Sequence, residues 1–203
     1  MRTAFAAVVL LGASALIHAQ PPKDPDPRYG VTARVKIYSQ ATPKATLKTA
    51  LELIEAGEYP YFVAHVLDPK FVDEVVTDRA KTLEAAAERE LAQLRDFQRA
   101  NPDKVKPENR VPLDPKEFRA LAAATARERG FKQLLLDIEA KLKDDPQALK
   151  DIRKIARDGM FAEADPMASA MHDSVKGRTL YFRKLGDRWF LENRQAEEPK
   201  KDP

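Results

Sequence analysis

Four times along this chain a residue with a short oxygen-bearing side chain is followed by proline and then by an apolar rhythm: Thr42-Pro43, Asp68-Pro69, Asp114-Pro115 and Asp145-Pro146. The side-chain oxygen can accept a hydrogen bond from an orphan N–H of a first helical turn. Proline just inside the start gives up an N–H that had no partner, and its fixed φ already suits a helix. At Asp114 the glutamate three residues on, Glu117, adds a capping-box pattern. These pairs divide the middle of the chain into helices before any tertiary contact is considered.

The first helix is predicted from Pro43 to about Ala56, with Leu47, Ala50, Leu51 and Ile54 as its stripe and Gly57 as its stop. A short one follows over Pro60–Leu67. A long one starts at Pro69 and runs to about Arg99, with a break conceivable near Thr77-Asp78. Residues 101–113 hold three prolines and read as a loop. The helix from Pro115 carries Phe118, Leu121 and Ala122, then Phe131, Leu134, Leu135, Ile138 and Leu142. Gly130 costs it about 1 kcal/mol against alanine, so a kink or break there is expected. The last helix spans Pro146 to about Arg157.

Strand signals are fewer. Val31–Tyr38 alternates apolar and polar residues and suggests a short strand. Met160–Ala164 and Ala168–His172 are two more short candidates. The chain then ends on LYFRKLGDRWFLEN, residues 180–193. Gly186-Asp187 fits a two-residue type II′ hairpin turn, glycine first. It would pair Leu185 with Arg188, Lys184 with Trp189, Arg183 with Phe190 and Phe182 with Leu191. One face then presents Leu180, Phe182, Trp189 and Leu191. A two-stranded ribbon is marginal alone in water. Its apolar face needs a cover and the helix stripes need a partner. The fold class that follows is α+β: about five helices, several of them long, packed on a small antiparallel sheet that includes the C-terminal hairpin.

The ends read differently. Arg2, an apolar run over Ala4–Leu16 and a small residue at Ala19 make a signal-peptide pattern cut before Gln20. The run is too short for a membrane span. Localisation is accordingly expected to be the periplasm or the extracellular space, with no membrane span once the leader is cut. The expected division is a signal peptide over 1–19, a Pro-rich tether over 20–30, and a single α+β domain over 31–195 with a helical insertion at about 68–157. A disordered tail follows over 196–203.

Composition limits the chemistry. There is no cysteine, so neither disulfides nor thiol catalysis is available. The 35 basic and 32 acidic residues are interleaved, which is the pattern of solvated helix faces and not the basic stripe of a nucleic-acid binder. Beyond residue 19 the histidines are His65 and His172. No HExxH, EF-hand or phosphate-cradling glycine spacing occurs, so no metal site and no cofactor are expected. The segment SAMHDS, 169–174, gathers Ser169, His172, Asp173 and Ser174. Triads are assembled from separate elements, so a polar strand end is the plainer reading.

Three residues are candidates for lining a pocket: Tyr61, His65 and Trp189. Tyr61 and His65 are four apart on one helix face and could sit at a mouth, with His65 as a base; equally, both could be core. Trp189 is a hairpin anchor or a pocket wall.

Two stretches carry a family resemblance. TPKATLKTALELIEAGEYPYFVAHVLDP is a helix pair joined at a Gly-acidic-Tyr step, and GRTLYFRKLGDRWFLEN closes on a Gly-acidic turn, a basic residue and Trp. Together they resemble the cystatin-like α+β roll of the nuclear transport factor 2-like superfamily, and in particular its small exported bacterial members of unknown function. The resemblance covers roughly residues 42–67 and 160–193 and implies a curved sheet around a conical pocket. The function expected first is a non-catalytic exported binding or interaction module, its partner an unknown protein or a small apolar ligand. A pocketed enzyme of the polyketide-cyclase or dehydratase kind is one alternative, and a periplasmic helical chaperone or scaffold is another. No catalytic residue is assigned.

Overall fold

The computed structural model describes residues 25–194. The expected signal peptide, the first part of the tether and the tail from residue 195 lie outside them. Five helices precede a four-stranded antiparallel sheet: α1 Pro43–Glu55, α2 Tyr59–His65, α3 Pro69–Ala100, α4 Pro115–Asp144 and α5 Pro146–Asp158, then β1 Met160–Ala164, β2 Met167–Met171, β3 Leu180–Leu185 and β4 Arg188–Leu191. The fold is α+β, and the sheet is a meander in the order β1-β2-β3-β4.

All four helix starts form as the Thr/Asp-Pro pairs require. Thr42 accepts from Ala45 N–H, Asp68 from Lys70, Asp114 from Lys116 and Glu117, and Asp145 from Ala148. The hairpin register is the expected one, Phe182 opposite Leu191 through to Leu185 opposite Arg188. Gly186 turns it at φ +62°, while Asp187 keeps a negative φ, as a type II′ turn requires.

Four local expectations change. α3 runs unbroken through Thr77-Asp78, and α4 runs unbroken through Gly130. The glycine is a contact point: a Cβ on Gly130 would lie 3.0 Å from the Val76 carbonyl oxygen and 3.3 Å from Arg79 Cβ, both on α3. Residues 31–38 form no strand. The Arg34 N–H is taken by the Tyr61 hydroxyl at 2.9 Å, the Arg34 carbonyl accepts from both Ile37 and Tyr38, and Ile37 is 68% exposed. Four alternating residues give too little pairing surface to outweigh a turn whose polar groups are satisfied this way. Nor is the segment before Val31 a bare tether. Arg28 and Val31 exchange backbone hydrogen bonds around Tyr29 (φ +52°) and Gly30 (φ +78°), a tight turn fixed to the helices.

Two apolar clusters form the core. One gathers α1, α2, α3 and α4 through Leu53, Tyr61, Val66, Val72, Phe131 and Leu134. The other joins Leu47 of α1 and Ile155 of α5 to Ala168, Ala170, Phe182 and Trp189 of the sheet. The sheet therefore hides one face beneath α1 and α5. Its β4 edge is closed as well. Trp189 N–H donates to the Gln40 carbonyl, Gln40 Nε2 donates to the Trp189 carbonyl, Leu191 N–H donates to Val66, and Asp68 N–H donates to Leu191. Such closure removes the open hydrogen-bonding row that makes an edge strand a pairing hazard.

Candidate functional site

The sequence candidates sit in the interior. Tyr61 is 0% and His65 1% exposed, their rings in tilted contact at 4.9 Å between centroids and 43° between planes. Tyr61 spends its hydroxyl on Arg34, and His65 Nε2 lies 2.8 Å from the Val31 carbonyl, to which it donates. No carboxylate contacts His65. Burial holds its pKa below the ordinary imidazole value, against the smaller upward pull of the Val31 bond. It is a neutral strut between α2 and the N-terminal segment. Trp189 is 4% exposed and fills the cluster under α1 and α5. The geometry brings Tyr61 and His65 together and leaves Trp189 in the other cluster.

The Ser-His sequence cluster is equally local. Ser174 places both its N–H (3.1 Å) and its hydroxyl (3.0 Å) on His172 Nδ1, which caps a turn after β2. These groups are exposed, and no carboxylate orients the far ring nitrogen. A serine nucleophile needs its base oriented and an oxyanion donor set opposite. Among the described residues, no three His, Asp or Glu side chains converge as metal ligands would. No described helix is long and apolar enough to cross a membrane.

What the surface does carry is a trough along α4. Its wider part, about 770 Å³, lies between the 28–31 turn, Pro60 and the α4 residues Ala124, Arg127, Phe131 and Leu135. A further part, about 520 Å³, shares Pro60, Lys132 and Leu135 and adds Tyr59, Leu136 and Glu139. Helical spacing explains why one helix supplies a whole wall: 124, 127, 128, 131, 135 recur at three and four residues, one face of α4. From Ala124 to Glu139 that face runs about 22 Å at 1.5 Å per residue.

The floor is held with care. The Tyr29 ring stacks flat on Phe131, centroids 4.5 Å apart and planes 9° from parallel. Arg28 clamps the turn by donating to the Ala64 carbonyl (2.8 Å) and to Asp73 (2.6 Å), and the Tyr29 hydroxyl donates to the same Asp73 oxygen at 2.6 Å. Burial, and then the Asp73 bond and charge, push the Tyr29 pKa up to about 12. Tyr29 therefore stays a neutral donor. A bulky side chain at positive φ is an outlier that persists only where its surroundings over-determine it. Here the surroundings are the clamp and the stack.

The rim charges are mostly spent: Lys132 pairs with Glu128 at 2.7 Å, Glu139 with Lys143 at 2.6 Å, and Asp73 with Arg28. Arg127 differs. Among the described residues it makes no ion pair or hydrogen bond, and it lies close enough to Tyr29 for its charge to oppose the rise of that pKa.

A second exposed region lies at the far end of the α3–α4 hairpin, where Leu94 and Phe97, each more than half exposed, line a small hollow with Lys104 and Lys106.

Sequence reasoning passed over the trough because its halves look unremarkable separately. Tyr29 lies in a proline-rich run, and Phe131 is one member of an apolar stripe. The available signal was Tyr-Gly itself, a pair with a residue fit for positive φ, next to an arginine. Compared with protein-family models, with curated proteins and with solved structures, the chain matches none of them.

Proposed function

We propose that this chain is a non-catalytic binding module that works after export, and that the trough along α4 is its recognition surface. Export rests on the N-terminal pattern of a short apolar run and a small-residue cut. The observation that carries the binding reading is the Tyr29–Phe131 floor. The Tyr29 ring stays half-exposed at an open groove, stacked on the buried Phe131 and fixed there by a strained backbone and three hydrogen bonds. Concave, mostly apolar surfaces with a few placed polar groups are the usual form of a ligand site. The histidines give no support to the enzyme alternative. His65 is locked to a backbone carbonyl and His172 to a neighbouring serine.

The test uses an uncharged apolar dye. Nile red emission is expected to rise on titration with the purified full chain, and to rise several-fold less with a chain carrying both Ala124→Asp and Leu136→Asp. Both positions are exposed, so far-UV circular dichroism should not change. Equal dye responses from the two chains would remove the trough as the recognition surface.

A further inference from the structure

We infer that the outer edge of β1 pairs with the same edge of a second copy of this chain, antiparallel about a two-fold axis at Ala162, and joins two four-stranded sheets into one. This surface lies apart from the trough and does not depend on it.

The two edges of the sheet are treated differently. β4 is closed by Gln40 and by the segment ahead of α3, whereas β1 ends the strand order with nothing beyond it among the described residues. The register tells which backbone groups are left over. Lys184 N–H donates to the Pro166 carbonyl. Counted in twos from there, Ala168 and Ala170 turn their backbone groups toward β3, while Met167, Ser169 and Met171 turn theirs toward β1. The partners of those three in β1 are Ala164, Ala162 and Met160. Phe161 and Glu163 therefore point N–H and C=O outward, and among the described residues no hydrogen bond reaches them. Every residue of β1 but Phe161 is exposed, so the edge is open to approach. Edges are commonly guarded by lysine, proline, a bulge or a covering segment. β1 has no lysine or proline, its register with β2 is unbroken, and its one charge is Glu163.

The side chains favour a second copy over another partner, because the strand complements itself. Centred on Ala162, the pairing sets Phe161 opposite Glu163 of the other copy and Glu163 opposite its Phe161, so every outward backbone group of both strands is satisfied. Met160 stands opposite Ala164, large beside small. Two alanines meet on the axis, at a non-hydrogen-bonded pair where side chains come closest. The neighbouring registers lose this fit. Centring on Glu163 puts two carboxylates directly opposite each other, which is destabilising. Centring on Phe161 calls on Gly159, whose N–H is already given to the Ile155 carbonyl at the end of α5. The face that carries Met160, Ala162 and Ala164 continues across β2 through Met167, Ser169 and Met171, so over both strands it holds no charge. Met160 is 55% and Met171 45% exposed on it. Pairing extends this face without bringing a charge onto it. Strands of this length bury less than the roughly 1,200 Å² of a standard interface, so the dimer is a weak one.

Sedimentation velocity on the full chain, over roughly 1 µM to 1 mM, covers the range in which such small interfaces associate. The weight-average mass is expected to climb toward twice that of the monomer. Ala162→Lys sets two ammonium groups side by side on the axis and should weaken association at least about tenfold. Ala162 is exposed, so far-UV circular dichroism should not change. Ile37→Lys adds the same charge at a residue 68% exposed elsewhere and should associate as the wild type does. Hydrogen exchange resolved to single amides should show protection of Phe161 and Glu163 growing with protein concentration. A monomer across the whole range would overturn the inference. So would association that survives Ala162→Lys, or that Ile37→Lys abolishes equally. Protection of the same two amides by an acetylated Thr-Val-Thr-Val-Thr peptide, in a chain that stays monomeric, would overturn the second copy in favour of an extended segment from another protein.

Discussion

His65 shows how one buried side chain turns into a solution property. Its native pKa is lowered, chiefly by burial, whereas in the unfolded chain it titrates near the ordinary value of about 6.5. Below that value the unfolded chain takes up a proton that the native state resists. Unfolding is then favoured, so stability rises with pH. The contribution is complete above about pH 6.5 and is lost progressively as the pH falls from there toward the native value. Urea midpoints measured between pH 7 and pH 5 should therefore decline more steeply in the wild type than in His65→Gln, whose amide can still donate to the Val31 carbonyl. The carboxylates are common to both chains, so the difference in slope isolates this residue. Equal slopes would mean that His65 is not held neutral. The same residue explains why a histidine on a helix face is a poor pointer to chemistry: its one polar contact is a carbonyl 34 positions earlier in the chain.

Among the elements, the α3–α4 hairpin turns on Gly130. A helical glycine usually costs about 1 kcal/mol against alanine, so replacing it should stabilise an exposed helix. Here an added methyl would press on the α3 backbone at Val76, which cannot swing aside as a side chain does. Gly130→Ala is expected to lose about 1 kcal/mol net, the strain of overpacking outweighing the propensity gained. Denaturant unfolding checks this, and a gain in stability would show that the helices can part without cost. The elements also show what was legible. Helix starts were readable because an Asp-Pro or Thr-Pro cap acts within one turn, and Asp114 needs only Lys116 and Glu117 to be satisfied. The register of β3 and β4 was readable because a two-residue turn fixes it. The continuity of α4 was not, since the reason for Gly130 lies on another helix. The segment at 31–38 was misread because Tyr61, 27 residues away, takes the Arg34 N–H that a strand would have used. The trough was hidden for the same cause. Tyr29, Pro60 and Phe131 become one surface only once three separate segments have packed.

In the molecule as a whole, the sheet and the helices cannot be taken apart along any simple line. Trp189 and Phe182 share their cluster with Leu47 and Ile155, so the sheet's covered face is also the covered face of α1 and α5. The chain between α2 and α3 runs as an extra extended segment beside β4, with Leu67 bridged in parallel to Leu191. Gln40, just ahead of α1, bonds Trp189 through both backbone and side chain and also accepts from the Arg188 guanidinium, which in turn donates to the His65 carbonyl. The last strand is thus the place where the segments before α1, before α3 and after α5 meet. The two apolar clusters are joined through Leu191, which packs against both, and small domains coupled in this way unfold as a unit. Trp189 emission and far-UV circular dichroism should therefore report the same urea transition, and the native emission should be that of a buried indole. A chain ending at Gly186 loses β4 and uncovers Leu47, Phe182 and the Val66 and Asp68 backbone groups together. It should lose its cooperative thermal transition, not merely shift it by a few degrees. A truncated chain that melted at the wild-type midpoint would show that the helices hold the fold without the sheet. The clamp that fixes Arg28 and Tyr29 would not need it either, because that clamp is anchored to α2 and α3. Loss of the cooperative melt is what the packing of Phe182 and Trp189 with Leu47 and Ile155 requires.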